Sequence, residues 1–193
     1  MRTSTIERKT AETDISMQLV LDGSGKSDIN TGVGFFNHML ILTTMHGGID
    51  LQVTCNGDLE TDQHHSVEDV GIALGTAFKE AIGTKESIER YASVTVPMDE
   101  ALAEVSMDIS GRSFLVYNVS GLKDKIGAFD TELAEEFFLA FTRHAEVTLH
   151  INLQYGKNSH HILESIFKGF GRAIRVAAAK NGRQGIPSTK GML

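Results

Sequence analysis

A chain of 193 residues with 41% hydrophobic and 22% charged side chains has the composition of a soluble globular protein. Its formal net charge of −7 argues against a nucleic-acid or anionic-membrane partner, because both require basic patches. One cysteine excludes an internal disulfide framework, and no apolar run approaches the roughly 20 residues of a membrane span, so we expect a cytoplasmic protein.

Apolar residues at every second position predict half-buried strands in five places along the chain. The glycine-rich segment "GSGKS" follows the first of them, and we interpret it as a hairpin turn. The third and fourth strands flank "SGR" and are predicted to form a second hairpin. The five strands lie near residues 15–21, 49–55, 101–109, 113–119 and 147–153.

Segments with helical periodicity lie between these strands, at about residues 36–46, 66–82, 131–143 and 161–179. The order helix, strand, loop, adjacent histidines, helix therefore occurs twice. Leu51 and Leu149 in the strands are 98 positions apart, and His64 and His160 are 96 apart. We interpret this as a duplicated helix–strand–helix unit whose two copies pack face to face with pseudo-twofold symmetry. Chance similarity of two amphipathic segments is the alternative.

Both copies contain the motif H-H-x-x-E, in "DQHHSVED" and "NSHHILES". The first histidine and the glutamate are four positions apart, so they share one face of a helix. Imidazole and carboxylate together suit a borderline divalent ion such as Mn, Fe, Co or Zn. The second histidine lies about 100° around the helix and is expected to reach a second ion. The alternatives are that each pair caps its helix or is a loop remnant. The candidate ligands are His64, His65, Glu68, His160, His161 and Glu164.

Other common motifs are absent. "GSGKS" is not a phosphate loop, because Val20 stands where that motif needs a glycine. No dinucleotide fingerprint and no G-x-S-x-G is present. Isolated basic residues could be solvated charges or could converge on a phosphate, and the sequence leaves both readings open. These residues are Arg90, Arg112, Lys168 and Lys190.

Several segments together resemble the imidazoleglycerol-phosphate dehydratase family of histidine biosynthesis. They are "GFFNHML", "DQHHSVEDVGIALGTAFKEA", "VPMDEALA", "DISGR", "GKNSHHILESIFKGFGRA" and "IPSTKG", in family order between about Ile6 and Gly191.

The resemblance implies an α+β fold made of internally duplicated βαβα-type halves, with a helical layer packed between two mixed β-sheets. It implies a single catalytic domain over residues 1–193, with two pseudo-symmetric repeats at about 1–90 and 91–180 and a short C-terminal tail. Family members assemble into a homo-oligomer of 24 subunits. They convert a small phosphorylated imidazole, imidazole glycerol phosphate, to imidazole acetol phosphate. This carbon–oxygen lyase reaction uses two Mn²⁺ ions per active site, with other divalent ions compatible, and proceeds through a metal-stabilised imidazolate.

The resemblance also assigns metal ligands. Histidine stands in many family members where this chain has Glu136, which is the 98-offset partner of His38. His144 is the offset partner of His46 and is expected to be structural. One ion is expected at His64, Glu68 and His161, and the other at His38, His65, His160 and Glu164.

For the substrate, the resemblance implies that Glu12 transfers a proton and that His38 and His46 line the site. Glu68 and Glu164 are the other predicted catalytic carboxylates. The phosphate-binding residues are expected to be Arg90, Arg112, Lys168, Ser188 and Lys190, with the tail acting as a lid that is ordered at least part of the time. Two alternative functions remain, a dinuclear metallohydrolase acting on a phosphorylated substrate and a metal-storage or shell-forming protein.

Overall fold

The computed structural model describes residues 1–193 and contains ten strands and four helices. None of the helices is long and apolar enough to cross a membrane. In chain order the elements are β1 (Thr3–Lys9), β2 (Thr13–Val20), β3 (Ser27–Asn30), α1 (Gly34–Gly47), β4 (Asp50–Gly57), α2 (His64–Ile82), β5 (Tyr91–Met98), β6 (Ala101–Asp108), β7 (Phe114–Asn118), β8 (Lys125–Ile126), β9 (Phe129–Asp130), α3 (Leu133–Ala145), β10 (Thr148–Tyr155) and α4 (Ser159–Ala177).

The strands form two four-stranded mixed sheets with the same topology, β1-β2-β4-β3 and β5-β6-β10-β7, and a small β8-β9 ribbon. In each large sheet the last strand is parallel to its neighbour and the other pairs are antiparallel. Each half therefore reads β-β-β-α-β-α, which confirms the duplicated α+β fold. The repeat is larger than the helix–strand–helix unit predicted from the sequence, because each half also includes three strands of its large sheet before its first helix, β1–β3 and β5–β7.

The two predicted hairpins are wrong. β2 and β3 flank "GSGKS" but do not pair, because β4 lies between them; β10 likewise separates β6 from β7. The chain passes through a helix between β3 and β4, and such a crossover lets the returning strand run parallel to β3. The "GSGKS" loop is fixed from β4 instead, where a carboxylate oxygen of Asp50 accepts hydrogen bonds from the backbone N–H groups of Ser24 (2.7 Å) and Lys26 (2.9 Å).

The four helices form the layer between the two sheets. Helix α2 packs on β1 and β2, and α4 packs on β5 and β6. Within the layer, α1 pairs with α4 and α2 pairs with α3, so each helix pair joins the two halves of the chain. Phenylalanine rings fill the space between helices; for example, the Phe137 and Phe167 centroids are 5.5 Å apart. One apolar cluster of 46 buried residues therefore runs through both halves.

Both helix pairs cross at a glycine. A Cβ on Gly171 of α4 would lie less than 3.0 Å from backbone atoms of Thr43 and Gly47 in α1. A Cβ on Gly75 of α2 would also lie less than 3.0 Å from backbone atoms of α3. The α3 residues concerned are 98 positions after Thr43 and Gly47. The two glycines are themselves 96 positions apart, and the same close approach occurs in both helix pairs. Backbone-to-backbone contact of this kind leaves no room for a side chain.

We expect Gly171→Ala to lower the free energy of unfolding by about 2 kcal/mol, because the added methyl group must push α1 away from α4 and the gain in helix propensity offsets only part of that cost. Urea denaturation measures the change. The matched control is Gly34→Ala at the start of α1, where nothing lies within 4 Å of the new Cβ. Equal stability of the two variants would show that the close crossing is not needed.

Candidate metal and substrate site

The crossing of α1 and α4 brings together two imidazoles and one carboxylate. His38 Nε2 lies 2.9 Å from Glu164 Oε1, and His160 Nε2 lies 3.1 Å from the same oxygen. Donor atoms of all three residues lie within 4.8 Å of one another, and this is the only such group of three in residues 1–193. Glu164 is buried, whereas the two histidines are part-exposed. The carboxylate of the group is therefore held inside the protein, and the two imidazoles are accessible from the solvent.

Glu164 also contacts Lys168, whose Nζ donates to Glu164 Oε2 at 2.6 Å. Burial raises the pKa of Glu164, but hydrogen bonds from Lys168, His38 and His160 outweigh it and hold the pKa at about 2. The carboxylate is thus ionised at neutral pH. An ionised carboxylate with two imidazoles is a donor set that fits a divalent ion with borderline character. Of the predicted ligands, the structure brings His38, His160 and Glu164 together.

The equivalent position in the first half is less complete. His64 Nε2 lies 3.6 Å from Glu68 Oε2, so the predicted shared face exists. Glu136 does not join them to make a third donor, although it occupies the position that corresponds to His38. Within one chain the two halves therefore differ at this position. In one chain, His64 and Glu68 form only a partial ligand set.

The second histidine of each pair turns away from the first. His65 Nδ1 lies 3.0 Å from Asp58 Oδ2, and His161 Nδ1 lies 2.7 Å from Glu100 Oε2. These hydrogen bonds to carboxylates raise the pKa of both histidines. Within one chain, neither His65 nor His161 joins the three-residue group. The different directions of the two histidines agree with their angular separation on a helix.

Glu12 lies at the tip of the hairpin between β1 and β2, 3.6 Å from His65 Nε2. Buried Asp69 of α2 holds this hairpin, because its carboxylate accepts hydrogen bonds from Thr13 Oγ1 (2.5 Å) and Arg8 Nη2 (2.8 Å). The carbonyl of Glu12 accepts a hydrogen bond from the backbone N–H of Asp58 at 3.1 Å. The sequence alone did not identify Asp69. Its signal is a carboxylate four positions after His65, followed along α2 by the apolar residues Val70 and Ala73.

The C-terminal tail and the β5–β7 region enclose a cleft of about 750 Å³. Arg90 anchors the tail there: its guanidinium donates to Asp108 Oδ1 at 2.7 Å and to the Pro187 carbonyl at 2.8 Å. Four of the five predicted phosphate-binding residues therefore converge, and Arg183 adds a further guanidinium. Lys168 is not among the lining residues. The cleft is lined by Arg90, Tyr91, Arg112, Arg183, Pro187, Ser188, Thr189, Lys190, Met192 and Leu193.

The two remaining histidines of interest differ in environment. Burial lowers the pKa of His46, and the charges of Lys168 and Arg172 lower it further. The Glu164 carboxylate acts on the His46 pKa in the opposite direction. His144 Nδ1 lies 2.9 Å from the Ala140 carbonyl one turn earlier in α3, an internal contact that suits a structural residue.

The fold and the site together define a duplicated α+β protein with a histidine–carboxylate group suited to a divalent ion and a separate basic cleft. Comparisons with known proteins are more specific. The sequence model of the imidazoleglycerol-phosphate dehydratase family matches residues 31–174. The imidazoleglycerol-phosphate dehydratase of Oceanobacillus iheyensis is 62% identical over 194 residues, covering 100% of both chains. That of Clostridium novyi is 57% identical over 187 residues, covering 96% of this chain and 95% of the relative.

Solved structures agree. The Staphylococcus aureus imidazoleglycerol-phosphate dehydratase superposes with a TM-score of 0.83 at 44% identity, over 91% of this chain and 97% of that one. The Pyrococcus furiosus protein, solved in complex with (S)-C348, superposes with a TM-score of 0.85 at 37% identity, over 97% and 100%. The chain belongs to the imidazoleglycerol-phosphate dehydratase family. It is therefore an enzyme of the hydro-lyase class that acts on a small-molecule substrate, and its family places it in histidine biosynthesis.

Proposed function

We propose that this chain removes water from imidazole glycerol phosphate, giving imidazole acetol phosphate, and that it needs two divalent ions, Mn²⁺ by preference, in each active site. The observation that carries the proposal is the group of His38, His160 and Glu164. Three converging donors with an ionised carboxylate already at the centre have no evident structural purpose beside the apolar core, whereas they suit a cation well. When bound, the ions supply Lewis-acid chemistry that withdraws electron density from the substrate imidazole.

We propose further that each active site is shared between subunits of a large homo-oligomer, for which 24 subunits is the expected number. One chain contains one three-donor group, one incomplete pair and two second histidines that contact neither. A second copy supplies what is lacking if His65 of one subunit completes the His38, His160 and Glu164 group of another. His161 would then complete His64 and Glu68 in the same shared site. Both ions acquire more ligands in this arrangement without any change within the chain.

The chain's own residues then have separate tasks. Glu12 holds or removes a proton at the substrate, because its hairpin is fixed beside the helix that carries His65. Arg90, Arg112, Ser188 and Lys190 bind the phosphate in the cleft, through forked guanidinium and point-charge contacts. Lys168 holds Glu164 in place and offers a further positive charge on the other side of the substrate. His46 lines the site near Lys168.

In this proposal residues 1–193 form a single catalytic domain of two repeats, about 1–90 and 91–180, and the tail covers the phosphate. Contacts of the tail with Arg90 support its role as a lid. The proposed place of action is the cytoplasm, in keeping with a biosynthetic enzyme.

Protein stripped of metal and reloaded with Mn²⁺ is expected to convert imidazole glycerol phosphate to imidazole acetol phosphate without releasing phosphate, because the bond broken is carbon–oxygen within the glycerol chain. Product ketone and free phosphate are measured in parallel. Release of phosphate would indicate a metallohydrolase instead, and metal uptake without product would indicate a storage protein.

The same assay with His160→Ala tests the metal site. Loss of one of the three ligands that one chain contributes to this ion should weaken Mn²⁺ binding by more than about 100-fold and remove turnover. His144→Ala is the matched control, since the ring's hydrogen bond is to the Ala140 carbonyl of its own helix, away from the three-residue group, and it should bind Mn²⁺ normally. Normal metal binding by His160→Ala would contradict the assignment.

Glu12→Gln is expected to keep metal content and assembly but to lower kcat by a factor of about 10² to 10⁴, because the amide cannot take up a proton. Stopped-flow or steady-state kinetics, with metal content by elemental analysis, measures both quantities. Near-normal turnover in the metal-loaded variant would remove Glu12 from the mechanism.

A further inference from the structure

We propose that Asp58 and Glu100 are positioning residues, which hold the rings of His65 and His161 so that Nε2 of each is free to bind an ion held by another subunit. This inference rests on the metal-dependent function proposed above and adds two residues to it. It concerns how the second histidine of each pair is directed, which neither the sequence motif nor the family resemblance addressed.

The contact is the same in both halves. Asp58 Oδ2 lies 3.0 Å from His65 Nδ1, and Glu100 Oε2 lies 2.7 Å from His161 Nδ1. An ionised carboxylate can only accept a hydrogen bond, so each Nδ1 carries the proton. In the neutral ring, Nε2 then has the free lone pair, which is the form that a metal ligand needs. The tautomer of both second histidines is therefore set by a carboxylate.

The first histidines are arranged differently. His160 uses Nε2, not Nδ1, to contact Glu164 at 3.1 Å, and His64 Nε2 faces Glu68 at 3.6 Å. The first histidine therefore works with the carboxylate of its own helix. The Nδ1 atom of the second histidine instead contacts a carboxylate that lies outside its helix.

The positioning carboxylates do not come from equivalent positions. Strands β4 and β10 are related by an offset of 98 residues, so the residue equivalent to Asp58 in the second half is Gly156. Strands β2 (from Thr13) and β6 (from Ala101) are related by an offset of 88 residues, so the residue equivalent to Glu100 in the first half is Glu12. The Nδ1 contact is thus made twice from different places in the fold. Inheritance from a duplicated sequence does not account for this, whereas a shared requirement on the two histidines does.

Each positioning residue is itself held. The backbone N–H of Asp58 donates to the Glu12 carbonyl at 3.1 Å, which ties the loop after β4 to the first hairpin. Glu100 Oε1 accepts hydrogen bonds from the backbone N–H groups of Asn158 (2.7 Å) and Lys157 (3.2 Å). These bonds connect the turn between β5 and β6 to the start of α4. A carboxylate fixed in this way can orient a ring.

The free nitrogens have no hydrogen-bond partner in the chain. His65 Nε2 is 3.6 Å from Glu12, and His161 Nε2 is 3.8 Å from Asp99. Both distances exceed a hydrogen bond. Each side chain remains part-exposed, at 31% for His65 and 26% for His161, so Nε2 is reachable from outside.

The experiment has two measurements. Long-range ¹H–¹⁵N correlation spectra of the metal-free wild-type protein, recorded at a pH above the raised pKa of both rings so that they are neutral, should show His65 and His161 as Nδ1–H tautomers. Calorimetric titration with Mn²⁺ should then show affinities lowered by a factor of about 10 to 100 in Asp58→Asn and in Glu100→Gln, with melting temperatures of the metal-free variants unchanged. Glu60→Gln is the matched control, an exposed carboxylate in the same loop as Asp58, and should bind Mn²⁺ as the wild type does.

The outcomes separate this inference from the function on which it rests. Wild-type Mn²⁺ affinity in both variants, or Nε2–H tautomers in the spectra, would overturn the positioning role and leave the proposed dehydratase intact. Failure of the wild type to bind any divalent ion would overturn the proposed metal dependence itself. A fall in melting temperature without a fall in affinity would identify Asp58 and Glu100 as structural residues only, which also overturns the inference.

Discussion

The close crossing of two helix pairs is the constraint on which the rest of the structure depends. Gly171 lets α4 contact the backbone of α1, and Gly75 does the same for α2 and α3. Each pair joins the two halves of the chain, so these contacts turn two open α–β layers into one protein with a shared core. The first crossing also determines the site, because it sets His38 of one half against His160 and Glu164 of the other.

The second crossing produces a different result from the same geometry. Glu136 stands at the position equivalent to His38 but adds no third donor, and the first half is left with only a His64–Glu68 pair. The halves are therefore alike in fold but unequal as ligand sets. The second histidines, turned away by Asp58 and Glu100, belong to neither set within the chain. One chain cannot bring these histidines and the two ligand sets together by itself. This is the physical reason for proposing that subunits share active sites.

The sequence predicted the repeat because its signals are local: periodicity, equal spacing and the H-H-x-x-E motif. Edge strand β1 was missed because Ile6 is its only apolar residue. Both hairpins were predicted wrongly because the central positions of β4 and β10 depend on a crossover, which no turn signal encodes. The ligand types in α2 and α4 could be predicted from the repeated motif. The convergence of Arg90, Arg112 and the tail followed only from the family resemblance, because residue spacing alone does not connect segments about a hundred positions apart.

Mixing two inactive variants tests the shared site most directly. Glu12→Gln leaves His160 unchanged, and His160→Ala leaves Glu12 unchanged. A shared site is therefore intact when its Glu12 comes from a His160→Ala subunit and its His160 comes from a Glu12→Gln subunit. The two proteins, stripped of metal, dissociated, combined in equal amounts and reassembled with Mn²⁺, are predicted to recover about a quarter of wild-type turnover through random pairing at a heterologous interface. Activity no greater than that of the separate variants, in assemblies shown to contain both, would contradict the account.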